Sequence, residues 1–295
     1  MAGQIGHQGP LVVGCATQMS NAKLSIRDIL ARKAQGPKIV AVTAYDFTFA
    51  RLFDEAGVDI LLVGDSLGMV IQGYDTTLPV TLDEMIYHGK AVARAKPRAH
   101  VVVDLPFMSY QTSVERALES AGRVLKETGC EAVKLEGGAP AVAKVAACVA
   151  AGIPVMGHLG LTPQSVHAFG GFRVQGRTLA DQERLIDDAR ALEGAGAYSI
   201  VLEGIPPDLS EKITNAIRIP TIGIFAGPHC DGQVLVCYDL LGMQPNHKLR
   251  FVKRYAEIGT STIEAARCYL NDVRSGEFPS SAHSAPPDTN HGNGA

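Results

Sequence analysis

The stretch Ile39-Val40-Ala41-Val42-Thr43, running into Ala44-Tyr45-Asp46, decides how the chain is read. An unbroken apolar run rich in β-branched residues, without polar alternation, is the pattern of a strand buried on both faces in a parallel sheet. Polar residues arrive only where the run stops. The pattern returns at Ile60–Gly64, Val101–Asp104, Ala132–Leu135, Val155–His158, Ser199–Leu202, Thr221–Phe225 and Val234–Cys237, with amphipathic segments between the runs. Helix starts are signalled by Thr81 with Glu84 and Thr112 with Glu115, both capping-box patterns, by Thr178, and by Asp208 after Pro206-Pro207. Each unit therefore reads as strand, loop, helix.

Strands of this kind need helical cover on both sides, and repeated units of this spacing predict a single-domain α/β fold, a (β/α)8 barrel over residues 23–279. A doubly wound sheet would advertise GxGxxG after an early strand, and the chain has none. A further amphipathic helix, Leu24–Lys33, precedes the first strand and is expected to cover the barrel bottom. Residues 1–22 read as a disordered leader and 280–295 as a low-complexity, disordered tail.

Composition narrows the function. The 295 residues carry 27 Lys+Arg against 30 Asp+Glu, a net charge of −3, so no long-range field favours nucleic acid or anionic lipid. With 46% hydrophobic and 19% charged residues the chain has ample material for a large core. No apolar run approaches the roughly 20 residues of a membrane helix. The six cysteines form no CxxC pair, which reads as reduced thiols in a cytoplasmic protein. Walker, GxSxG and HExxH motifs are missing, so P-loop, serine-hydrolase and zincin chemistry have no support.

A barrel of this type builds its active site at the C-terminal ends of its strands. There the sequence places Tyr45-Asp46, Asp65-Ser66, Asp104, Lys134 with Glu136, His158 and Glu203. Any one of these is readable as a loop former or cap, but Asp65, Asp104 and Glu136 gathered at one mouth would repel one another unless a cation lay between them. A hard divalent ion such as Mg2+ answers that need. Lys134, two residues before Glu136, points the same way along a strand and is either a structural partner for these acids or a contact for an anionic substrate. His158 fits a satisfied core histidine or an auxiliary catalytic group. Glu203, flanked by Leu202, Gly204 and Ile205, is placed as a general base, with a structural acid as the plainer alternative. Two long connections, Gly64–Pro79 and the Gly-rich Phe169–Arg177, have the length of binding loops or lids.

At these residues the chain resembles the ketopantoate hydroxymethyltransferase family from about Leu24 to Pro279. The matching segments include VGDSLGM at Val63–Met69, GYDTTLPVTLDEM at Gly73–Met85, VVDLPFMSY at Val102–Tyr110, VKLEGG at Val133–Gly138, MGHLGLTPQSVHAFGGFRVQGR at Met156–Arg177 and LEGIP at Leu202–Pro206. The resemblance implies Mg2+, one per subunit, held by Asp65 and Asp104 with Glu136 in the shell directly or through water. It implies an α-keto acid contacted by Asp65, Ser66, Asp104 and Lys134, and Glu203 as the proton acceptor. It also implies 5,10-methylenetetrahydrofolate as co-substrate, transfer of its one-carbon unit to 3-methyl-2-oxobutanoate through a Mg-stabilised enolate to open pantothenate biosynthesis, and a homo-oligomer, often a decamer. Two rivals remain: a lyase or mutase of the phosphoenolpyruvate mutase and isocitrate lyase type, and a non-catalytic keto-acid-binding barrel.

Overall fold

In the computed structural model, which describes residues 22–246 and 248–286, eight parallel strands pair in chain order and close on themselves. They are β1 Ile39–Thr43, β2 Ile60–Val63, β3 His100–Asp104, β4 Ala132–Glu136, β5 Val155–Gly160, β6 Ser199–Glu203, β7 Thr221–Ile224 and β8 Gly232–Leu235. The helices are α1 Ile26–Gln35, α2 Phe47–Glu55, α3 Leu67–Val70, α4 Leu82–Ala93, α5 Val114–Thr128, α6 Val142–Ala150, α7 Leu179–Gly194, α8 Pro207–Ala216, α9 Cys237–Leu240 and α10 Ile258–Ser275. The (β/α)8 barrel is present, and every expected strand lies within a few residues of its place. The leader lies outside the described residues except for Ala22. Of the tail, Ser281–His283 forms a 3-10 turn and the residues beyond 286 lie outside the description.

Two apolar layers hold the barrel together. Inside it, Ile39, Ala41, Ile60, Leu62, Val102, Ala132, Met156, Val201, Ile222 and Val234 form one cluster. Outside, the alternate residues Val42, Leu61, Val63, Val101, Val103, Val133, Leu135, Ile200 and Leu202 pack against the helices. Helix α5 shows the logic of that cover. Its buried residues Ala117, Ser120, Ala121, Val124 and Thr128 fall on one face at helical spacing, and Gly129, at φ 78°, ends it in the left-handed conformation that suits glycine.

Helix α1 covers the barrel bottom as expected. Ile29 is buried and joins the interior cluster, a contact worth about 1.5–3 kcal/mol for a fully buried isoleucine. Around it the strand entrances are tied down by Arg32 to Asp59 before β2 (3.2 Å), Lys23 to Glu131 before β4 (3.0 Å) and Lys33 to Asp231 before β8 (2.9 Å).

The structure corrects three local expectations. Helix α5 is capped by Ser113, which accepts from Arg116 N at 3.1 Å, not by Thr112. Helix α8 starts at Pro207 without a side-chain cap, so Asp208 sits inside its first turn, where proline at the start dispenses with one unpaired N–H. The connection between β7 and β8, residues 225–231, contains no helix, so the strand-loop-helix rule fails there. Val40 and Phe225 stay exposed on that side of the barrel. The capping box at Thr81 and the cap at Thr178 form as anticipated.

Candidate active site

The interior rows of the barrel change character at one height. Ala132, Lys134 and Glu136 share a face of β4, as do Val102 and Asp104 on β3, Met156 and His158 on β5, and Val201 and Glu203 on β6. The register pairs Asp104 with Lys134 and Glu136 with His158. On each of these four strands an apolar interior residue is followed, two residues later on the same face, by an ionisable one, and the layer so formed is the mouth.

Within it the charges interlock. Lys134 Nζ lies 2.8 Å from Asp104 Oδ1 and 3.4 Å from His158 Nδ1. His158 Nδ1 is 3.4 Å from Glu136 Oε1, and its Nε2 is 3.2 Å from Glu203 Oε2. Asp65 joins through its backbone, whose N–H donates to Asp104 Oδ2 at 3.1 Å. Ser66 stands beside it with its hydroxyl 2.9 Å from that of the buried Tyr45. All the predicted site residues therefore meet. The side chains of Asp104, Lys134, Glu136 and His158 are at most 6% exposed, whereas Glu203 is 21% exposed, which makes it the acid most open to a ligand entering the mouth.

This crowding sets the protonation of the layer. Burial, then the charges of Asp104 and Glu136, holds the Asp65 carboxyl well above the usual carboxylate range. Burial also raises Asp104, against the pull of Lys134. Burial works against the Lys134 ammonium, but Asp104, Glu136 and Asp65 outweigh it and hold Lys134 above the ordinary lysine range. For His158, burial and Lys134 press downward, yet hydrogen bonding to Glu136 and Glu203 wins and pushes the imidazole up to about 9.

The donor set fits a hard cation. Asp65 and Asp104 offer carboxylate oxygens only, and burial holds both carboxyls above the usual range even though Lys134 Nζ lies 2.8 Å from Asp104 Oδ1. A divalent ion would relieve that strain, and Mg2+ is commonly held by one or two carboxylates with water and substrate completing the shell. Among the described residues no three His, Cys, Asp or Glu are arranged to hold a metal ion. Glu136 is committed elsewhere, its Oε2 accepting from Gln164 N at 3.0 Å and its Oε1 facing His158.

Two residues escaped the sequence reading. Gln164, in the 3-10 turn Pro163–Ser165 after β5, is buried in the mouth, and the Tyr110 hydroxyl donates to its Oε1 at 2.8 Å. A lone glutamine after Thr-Pro has no linear signature of such a place. Asp46, conversely, is an ordinary cap, accepting from Phe49 N at 2.9 Å at the start of α2. The Gly64–Pro79 connection folds locally as α3, and the Gly-rich loop is tied to the strand beside it by Gln175 N donating to Gly204 O at 2.9 Å. The backbone fixes Glu203 closely: an ideal Cβ on Gly160, at φ 95°, would lie 2.2 Å from Glu203 O, so only glycine allows β5 and β6 to meet there.

Comparison with known proteins agrees with this geometry. The profile of the ketopantoate hydroxymethyltransferase family matches residues 23–281. A 3-methyl-2-oxobutanoate hydroxymethyltransferase of Geobacter metallireducens is 54% identical over 264 residues, 90% of this chain and 99% of the relative. One of Moorella thermoacetica is 55% identical over 263 residues, 89% of this chain and 98% of the relative. Among solved structures, 2,3-dimethylmalate lyase, a PEP mutase/isocitrate lyase superfamily member, superposes with a TM-score of 0.58 at 18% identity, covering 91% of this chain and 93% of that one. Phosphonopyruvate hydrolase in complex with oxalate and Mg2+ gives 0.57 at 15% identity, covering 88% and 92%. At such identities these two speak for the barrel alone.

Proposed function

The chain belongs to the ketopantoate hydroxymethyltransferase family, its activity is hydroxymethyl transfer to 3-methyl-2-oxobutanoate, and we propose that it works with 5,10-methylenetetrahydrofolate as donor and a single Mg2+ per subunit. The observation that carries this reading is the ionisable layer at the mouth, where an oxygen-only carboxylate pair and a fixed ammonium lie below one more open acid. The lyase or mutase alternative is not favoured, because its only likeness is the fold.

Asp65 and Asp104 would hold the metal, which when bound polarises the keto group and offsets the charge developing on its oxygen, worth several kcal/mol. Lys134, kept protonated by its acidic neighbours, presents a positive charge to the substrate carboxylate, and the Ser66 hydroxyl, fixed by Tyr45, supplies a neighbouring hydrogen bond. Glu203 accepts the C3 proton: the C–H bond breaks, the proton goes to a carboxylate oxygen, and the electron pair moves toward the keto carbon. Deprotonated C3 and a water molecule then replace the two C–N bonds of the donor's methylene carbon: C3 forms the new C–C bond, the water oxygen becomes the hydroxyl, and the two folate nitrogens keep the electron pairs and take up the proton held by Glu203 and one proton of the water. His158 Nε2, 3.2 Å from Glu203 Oε2, holds that carboxylate in place and balances its charge.

Assembly and compartment follow the same reading. Helix α10 is exposed along its length except at Gly259 and the half-buried Asp272, and it displays Ile258, Ile263, Tyr269, Leu270 and Val273. That uncovered apolar face supports a homo-oligomer, the decamer being the form the resemblance implies, and light scattering in solution should give a mass several times that of one chain. No helix among the described residues is long and apolar enough to cross a membrane. The free thiols Cys130, Cys148, Cys230, Cys237 and Cys268 support a reducing cytoplasm.

The test is proton NMR of 3-methyl-2-oxobutanoate in D2O with the protein, in Mg2+ and in EDTA. We expect metal-dependent loss of the C3 proton signal, then hydroxymethyl product once methylenetetrahydrofolate is added. Exchange that is equally fast in EDTA would overturn the metal role, and exchange with no product would overturn the folate donor.

A further inference from the structure

One side chain at the mouth takes no part in the chemistry above, yet gathers the segments behind β2, β3, β4 and β5. Gln164 Nε2 donates to Asp65 Oδ2 at 2.8 Å and to the Leu105 carbonyl at 3.0 Å. Its Oε1 accepts from the Tyr110 hydroxyl at 2.8 Å and from Gln111 Nε2 at 2.9 Å. Two N–H donors and two lone pairs are all an amide possesses, so this one is saturated. A flipped amide would set its oxygen against the Asp65 carboxylate and a carbonyl, so the orientation is fixed. Tyr110 is fixed in turn: its hydroxyl accepts from Glu136 N at 3.0 Å, and Gln164, Tyr110, Asp65, Leu105 and Glu136 are buried, with Gln111 half-buried at the edge.

We propose that Gln164 is the positioning residue of the site. By occupying Asp65 Oδ2 it sets the plane of that carboxylate and leaves Oδ1, which has no hydrogen bond among the described residues, as the oxygen offered to a divalent cation. Hydrogen-bond partners of ligating carboxylates orient them, and removing such a partner typically costs 10–100-fold in metal affinity or activity. The inference rests on the reading of Asp65 and Asp104 as the metal-holding pair.

The test is Mn2+ binding to the substrate-free, full-length protein, followed by the EPR signal of the free ion, for the wild type, Gln164→Glu and Gln164→Met. Glutamate keeps the shape but turns an acceptor toward Asp65, and methionine removes both donors and acceptors. We expect at least a tenfold weaker Mn2+ affinity in each variant that retains the wild-type circular dichroism spectrum. A folded variant that binds Mn2+ within twofold of the wild type overturns the proposal, because a residue that merely joins loops would leave metal affinity unchanged. If neither variant folds, the double variant Tyr110→Phe with Gln111→Leu, which removes both donors to Gln164 Oε1, serves in their place: weaker Mn2+ binding is expected, and unchanged affinity again overturns the proposal. A wild type that binds no Mn2+ would instead bring down the metal reading beneath it.

Discussion

The two ends of the barrel each bury a strand histidine, and the two are driven in opposite directions. His158 at the mouth is pushed up to about 9, since hydrogen bonding to Glu136 and Glu203 overcomes burial and the charge of Lys134. His100 at the floor is pulled down to about 4 by burial and then by Lys23. Its Nε2 lies 3.1 Å from the neutral hydroxyl of Tyr198, whose ring meets it edge-on at 5.5 Å. Residue type and burial are shared. His100 also faces an acid, Glu131, but at 3.9 Å and beside Lys23, so it is the hydrogen bonds of two acids at the strand ends that make the difference at His158. The floor holds its histidine neutral, whereas the mouth keeps costly charges buried together.

The sharpest test of that contrast is Glu203→Gln. Loss of the base should cut product formation by about 10²–10⁴-fold, the usual contribution of a positioned general base. The melting temperature should barely move, because the side chain is partly exposed. Full turnover at neutral pH would remove Glu203 from the mechanism.

Ion pairs at the two ends should differ next. Lys134→Met leaves Asp104 buried without its partner at 2.8 Å, which should destabilise the metal-free protein by about 3–5 kcal/mol in urea unfolding. Lys23→Met breaks a pair whose side chains are 39% and 33% exposed, and should cost about 1 kcal/mol or less. Equal losses would erase the distinction between mouth and floor.

The last comparison is the pH dependence of stability, measured by urea unfolding in EDTA. The folded pKa of His158 is raised, so its contribution is complete below about pH 6.5 and is lost as pH rises through about 9. The folded pKa of His100 is depressed, so its contribution is complete above about pH 6.5 and drains away as pH falls toward 4. Each limb is bounded at about 3 kcal/mol, at 1.36 kcal/mol per pH unit. His158→Gln should flatten the alkaline limb and His100→Asn the acid limb. If either substitution altered the opposite limb, the assignment would fail.

Much of this was legible in the linear chain because parallel strands buried on both faces leave a signal that needs no partner to be seen. Runs such as Ile39–Thr43 and Ala132–Glu136 mark the barrel, and the two-residue spacing of Lys134 and Glu136 places both in its mouth. Where local signals were ambiguous, the sequence reading slipped: two polar residues competed to cap α5, and the proline at N1 of α8 displaced Asp208 as its cap. The missing helix between β7 and β8 was illegible for a different reason, since a strand followed by a turn and another strand resembles a shortened unit.

The sequence by itself determined the barrel, the family and the acids at the strand ends, because those depend on residue type and on spacing within single strands. Only the tertiary structure decided what each acid touches. Glu136 accepts from Gln164 N and faces His158, and the Gln164 side chain reaches Asp65 from the turn after β5. Those hydrogen bonds join residues far apart in the chain, and a bond of that kind has no meaning until the strands have closed and brought its donor and acceptor within 3 Å of each other.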